Sequence, residues 1–360
     1  MDYEKFKEQF KEDVRQALAE AGISTRVSTN HIEKMNESYE ALTIRPENSN
    51  IAVNLNMNKY FEACEKETDF GTIVEKAVDA IEDGLKHQPV LDVDALTDYE
   101  QMKDKLVMEV VSSKTNENVL KNIPHKELED MAVVYRFVLN SNDDGRETIL
   151  VTNQMLETMG VTPEQLHTDA MKNAPELKPA VIKGMSEVIA EMMGKSPDGL
   201  SDMGMSMDPS DEQMFVATVP DKIHGAGVIA YQDFMDQAAE RIGGDFFILP
   251  SSIHEVLLVS DNGNMSLSDL EAIVKEVNAT QVAPEDKLTD SVYHYDSKDK
   301  IFELGEKFVE RQEKRDAREC ETEKGSLLGD LKAKREEIAK DAPEKHAKDA
   351  AKKSRGGEAL

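Results

Sequence analysis

Apolar residues recur along this chain at two periods, and the switches between them mark its elements. In residues 2–21, Phe6, Phe10, Val14 and Leu18 stand four apart in an otherwise charged stretch, the spacing of one narrow stripe on an α-helix. A stripe that narrow suits a helix lying on a domain surface or docked on a partner. The period then falls to two: Leu42 and Ile44 flank Thr43, and Ile51, Val53, Leu55 and Met57 alternate with smaller or polar residues. Two antiparallel strands joined through residues 46–50 follow from that alternation. Ile73, Ala77, Ile81 and Leu85 return to helical spacing.

The same alternation of elements continues. The run from Met131 to Leu139 has the apolarity of a core strand, and Asp144-Gly145 supplies a turn before a strand at Thr148–Val151. Thr162-Pro163-Glu164-Gln165 is a capping box with proline at the first helical position, so a helix starts there. A further helix is expected around Met185–Met193, followed by an aperiodic loop over 195–212. Strands are predicted at Phe215–Val219, Val228–Tyr231, Phe246–Leu249, Ile253–Val259 and Val292–Tyr295. Helices are predicted over Phe234–Ile242, stopped by Gly243-Gly244, and after the Ser266/Asp269 cap.

Together these predict an α+β fold in which antiparallel strand hairpins alternate with helices as strand-strand-helix units. An N-terminal amphipathic helix (1–24) precedes an α+β domain (25–300), in one body or in two lobes divided near residue 100 or 195. A charged helical or disordered tail (301–360) follows, with a small apolar patch at Leu327, Leu328 and Leu331 that would suit pairing with another chain.

Composition narrows the function classes. The net charge is −29, and residues 331–360 carry a local excess of three positive charges, so the first 330 residues hold −32. A body that acidic repels phosphate backbones, which makes nucleic acid an unlikely partner and a protein the expected one. No apolar run reaches the roughly 18 residues of a membrane span, and the N-terminus lacks the basic and apolar regions of a secretory signal. Cys64 and Cys320 lie too far apart in sequence to suggest a disulfide framework or a CxxC site. A cytoplasmic protein with two free thiols is the expectation.

Candidate chemistry gathers in Pro250-Ser251-Ser252-Ile253-His254-Glu255-Val256. On a strand, Ser252 and His254 would share a face, two residues apart, as a nucleophile and its base, with Glu255 or a distant acid in support. The plainer reading gives the serines to a turn and His254 to a hydrogen bond across the sheet. His254-Glu255 also begins like H-E-x-x-H, but position 258 is Leu, and a zinc protease needs the second imidazole there. Gly225-Ala226-Gly227-Val228-Ile229-Ala230 spells a dinucleotide fingerprint, yet Pro220–His224 separate it from the preceding strand. A hairpin strand whose glycines admit a close backbone is expected instead. Asp261-Asn262-Gly263-Asn264 lacks calcium ligands at the positions that need them. Met203, Met205, Met207 and Met214 belong to a flexible segment sooner than to a soft-metal site. No cofactor and no metal is expected.

Phe247–Ser260, Ile149–Pro175 and Val282–Asp296 resemble the successive blocks of an uncharacterised family, a domain of unknown function, from gut Gram-positive anaerobic bacteria. The resemblance runs over about residues 25–300, with Pro-Ser-Ser-x-His-Glu as its most specific piece, and extends distantly to a second uncharacterised bacterial family. It implies a bacterial protein and one co-inherited domain, with the helix before residue 25 and the tail as additions. It assigns no catalytic residue. Lys34-Met35-Asn36-Glu37 departs from that family's Lys-Asn-Asn-Gly turn, which puts the register of the first hairpin in question.

The favoured function is a non-enzymatic interaction or regulatory protein. The alternatives are a hydrolase-like enzyme centred on Ser252 and His254, and an acidic mimic of nucleic acid.

Overall fold

In a computed structural model, the residues described are 1–47, 49, 51–66, 69–87, 93–142, 145–194, 212–231, 233–318, 331–332 and 334. The chain divides into two units, Met1–Gly305 and Glu306–Leu360. In the second, residues 306–318 are helical. The loop expected over 195–212 and the patch at Leu327 and Leu328 lie outside the described residues, except for Glu212, which is buried.

The first unit opens with α1 (Tyr3–Glu20), capped by the Asp2 carboxylate, which accepts from the Lys5 N–H. Its stripe faces inward and not toward solvent: Phe6, Phe10, Val14 and Leu18 are all fully buried. They meet α2 (Met57–Glu65), α3 (Phe70–Lys86) and one face of a three-stranded antiparallel sheet, β1 (Thr25–Lys34), β2 (Glu37–Pro46) and β3 (Val53–Asn56), in a single apolar core. On the opposite face a polar ladder crosses all three strands, Asn30 donating to Thr43 and Thr43 to Asn54.

The expected antiparallel pairing of Leu42–Ile44 with Val53–Leu55 is present. Strand β1 is an addition to it. TRVSTNHIEK shows no sustained apolar alternation, with Val27 alone reaching the core, because an edge strand solvated on one side and along one edge needs little more. The Met35-Asn36 turn forms without a glycine, since Asn36 takes the left-handed conformation (φ 61°) that asparagine tolerates.

A second core is built on β4 (Leu106–Ser112), reached through the short helices α4 (Val93–Thr97) and α5 (Tyr99–Met102). Every residue of β4 is buried, so the strand shows no alternation to read. It pairs with β6 (Met131–Asn142), whose other edge takes β5 (His125–Leu128) and β7 (Gly145–Leu150); α6 (Glu117–Leu120) lies between β4 and β5. The β6–β7 hairpin is the one expected, although Asp144 of its turn lies outside the described residues. Two helices follow, α7 (Asn153–Met159) and α8 (Pro163–Leu177), the latter capped by Thr162 as anticipated.

The remaining strands form one antiparallel sheet in the order β13-β12-β10-β11-β9-β8. They are β8 (Val181–Gly184), β9 (Met214–Thr218), β10 (Phe246–Leu249), β11 (Val256–Ser260), β12 (Tyr293–Asp296) and β13 (Ile301–Leu304), with helices α9 (Met185–Met192), α10 (Phe234–Ile242) and α11 (Leu267–Thr280) between them.

Two segments depart from expectation. Gly225–Ala230 is a buried 3-10 helix and not a strand. Its glycines do admit backbone: a Cβ on Gly227 would stand 2.7 Å from the Met108 carbonyl oxygen of β4, and one on Gly225 would collide with Thr218 Oγ1 and the His254 carbonyl. The second departure is β11, which begins only at Val256 and leaves residues 250–255 as the loop of the β10–β11 hairpin.

Candidate functional site

Residues 250–255 are held by backbone on two sides. Ile253 donates its N–H to the Asp286 carbonyl (2.9 Å), and Leu288 donates to the Ser251 carbonyl (3.2 Å), with Ser252 bridged to Lys287. From the other side Ala226, at the start of the 3-10 helix, donates to the Ile253 carbonyl (3.1 Å). Thr218 Oγ1 donates to the His254 carbonyl at 2.7 Å.

Within this frame the three predicted site residues part company. Ser252 Oγ accepts the N–H of His254 at 3.0 Å, the turn made by a serine and the second residue after it. The His254 ring turns elsewhere. Its Nδ1 accepts the backbone N–H of His224 at 3.3 Å, and its Nε2 lies 3.2 Å from Asp286 Oδ1. An N–H donor at Nδ1 leaves that nitrogen unprotonated, so the neutral ring carries its hydrogen on Nε2 and gives it to Asp286. Both ring nitrogens are thereby occupied. Glu255 is exposed.

The structure adds residues that no local pattern announced. His224 stands against His254, ring centroids 5.8 Å apart, and its own backbone is left-handed (φ 53°), as is that of Lys222 (φ 55°). Its Nδ1 is 3.9 Å from Oε2 of Glu109, a carboxylate buried in β4 and bonded at 2.7 Å by Arg136 Nε from β6. Buried Lys178 sends its ammonium to the Ile223 carbonyl at 2.8 Å and so clamps the same loop. Burial holds the His224 imidazole below its usual protonation range, against the pull of Glu109. Residues 109, 136, 178, 224 and 254 are distant in sequence, and only the pairing of β4 with β6 and the docking of the 3-10 helix bring them together.

This arrangement can orient and clamp. A serine–histidine couple needs the hydroxyl hydrogen directed at an unprotonated ring nitrogen. Here the unprotonated nitrogen of His254 takes a backbone N–H, and Ser252 Oγ bonds main chain. Among the described residues, no group of three or more His, Cys, Asp or Glu side chains converges to hold a metal ion. Likewise, none of the described helices is long and apolar enough to cross a membrane.

No curated protein and no solved structure matches the chain. Residues 3–297 do match a family of unknown function, DUF5688, and the match takes in the Pro-Ser-Ser-x-His-Glu loop together with the cores built on α1 and on β4. It starts at residue 3, so α1 is part of the family's domain and not an appendage, in keeping with its four buried core residues. The chain belongs to the DUF5688 family of unknown function.

Proposed function

We propose that this protein acts by binding and not by turnover, as a non-enzymatic interaction or regulatory protein of the cytoplasm. One observation carries the reading: both nitrogens of the His254 ring are engaged, one by the His224 N–H and the other by Asp286, while Ser252 Oγ serves the His254 N–H. The residue types that suggested a nucleophile and its base are used to join three segments of chain. The −32 of the first 330 residues selects the partner's chemistry, a protein with a basic face. Two cysteines without a disulfide pattern suit a reducing compartment.

The test is capture on immobilised full-length chain from an extract of its own cells, beside a chain ending at Gly305. A basic protein should be retained by both, and its retention should fall as salt rises from about 50 to 500 mM, where screening shortens to a few ångströms. Retention of nothing, or retention only when residues 306–360 are present, contradicts the proposal.

A further inference from the structure

Away from the Pro250–Val256 loop, a cavity of about 270 Å³ opens between α8, β5, the 3-10 helix, α10 and the β12–β13 hairpin. Its walls are apolar where Met171, Ile229, Met235 and Phe302 line it, and its polar groups, apart from Glu127 on the rim, fall into two sets. In the first, Asp236 is neutralised: Lys300 Nζ donates to it at 2.6 Å and Tyr295 Oη at 2.9 Å. The second set is Lys126 and His167, whose Nζ and Nε2 are 3.0 Å apart.

An ammonium has no lone pair, so Nε2 of His167 must accept from Lys126. The neutral ring then carries its hydrogen on Nδ1 and gives it to Tyr135 Oη, 2.9 Å away. Burial, and after it the charge of Lys126, holds this imidazole below its usual protonation range, which agrees with a neutral ring. Lys126 therefore keeps its full charge and further N–H donors, and among the described residues no carboxylate lies within ion-pair distance of it. Such a cation beside an apolar cavity is unusual in a chain with 72 acidic residues against 43 basic ones.

We propose that this cavity binds a small carboxylate with an apolar body, its carboxylate on Lys126 and its hydrocarbon against Met171, Ile229, Met235 and Phe302. A single charge is what the site accommodates: one ammonium is uncompensated, and the exposed Glu127 on the same rim disfavours a dianion such as a phosphate monoester. An amine is disfavoured because Asp236 already holds Lys300, and the other rim carboxylate, Glu127, faces His125 Nε2 at 3.5 Å. The inference does not rest on the absence of turnover at Ser252, and it stands or falls separately.

The experiment follows amide and methyl NMR shifts of the full-length protein with three probes of one body, hexanoate, hexanol and hexylamine. Hexanoate should bind saturably, with shifts confined to the cavity walls, and more tightly than either companion. Lys126→Gln, an exposed substitution that can still donate to His167, should weaken hexanoate by roughly tenfold or more and leave hexanol unchanged, since a charge-assisted hydrogen bond is the only contact removed. Met171→Trp, which fills the space, should weaken hexanoate and hexanol alike. A thermal melt confirms that each variant is folded. The proposal is overturned by unsaturable shifts, by hexylamine binding as well as hexanoate, or by undiminished hexanoate affinity in folded Lys126→Gln.

Discussion

At the scale of the residue, His254 and His224 show how a side chain's identity and its use can separate. His254 sits in the block that most resembles a site, and its ring closes the loop by receiving one N–H and giving another. His224 has no motif around it, yet it is the imidazole placed beside a buried carboxylate and held neutral by burial. Its titration has a sign that can be measured. A folded-state pKa depressed below 6.5 means that the unfolded chain binds the proton first, so stability is complete above about 6.5 and is lost as pH falls through the lowered value. His167 works in the same direction. Asp269, lowered below 3.8 by its hydrogen bond from Ser266, acts only in stronger acid. Unfolding free energies from denaturant titration should therefore fall between about pH 7 and pH 5, by no more than about 1.4 kcal/mol per pH unit for each imidazole. His224→Asn, which tolerates the left-handed backbone, should flatten that slope, and an unchanged slope would show that His224 is not its source.

At the scale of the element, legibility followed burial on one face. Stripes and alternations were plain in α1, α3, β2 and β3, because each has a wet side that contrasts with its apolar one. β1 and β4 escaped for opposite reasons, the first being mostly polar with only Val27 and Ile32 apolar and the second wholly buried. Gly225–Ala230 was legible as a place of close backbone approach but not as a 3-10 helix, since small buried residues carry no period. The Asn36 turn was the least legible. Its N–H and carboxamide exchange hydrogen bonds with Asn116, both at 2.6 Å, and its amide also reaches the Glu285 carbonyl at 3.0 Å. These partners are 80 and 249 residues away, so no local pattern could show them. Asn116 is almost fully buried and ties the β1–β2 turn to the end of β4, its amide also donating to the Ser112 carbonyl. Asn116→Ala should cost about 1–3 kcal/mol in urea unfolding, the penalty of leaving buried polar groups without partners. Asn36→Gly keeps the backbone conformation and should cost less, and equal or reversed losses would contradict the anchoring role.

At the scale of the whole molecule, the α+β class and the antiparallel pairing follow from pattern, whereas the candidate site depends on which loops the topology brings together. Residues Pro250–Val256 are where the sequence gathers a hydroxyl, an imidazole and a carboxylate within one short block. What they do was decided by Asp286, His224 and Thr218, which arrive from three other segments. The central claim, that Ser252 and His254 join chain segments and do not form a nucleophile–base couple, is tested most directly by reaction of the folded protein with an alkyl fluorophosphonate. Mass spectrometry of the peptide containing Ser252 is the readout. The account predicts no adduct on Ser252, while Ser252→Ala and His254→Asn each lower the melting temperature. A stoichiometric adduct on Ser252 that disappears in folded His254→Asn would contradict it.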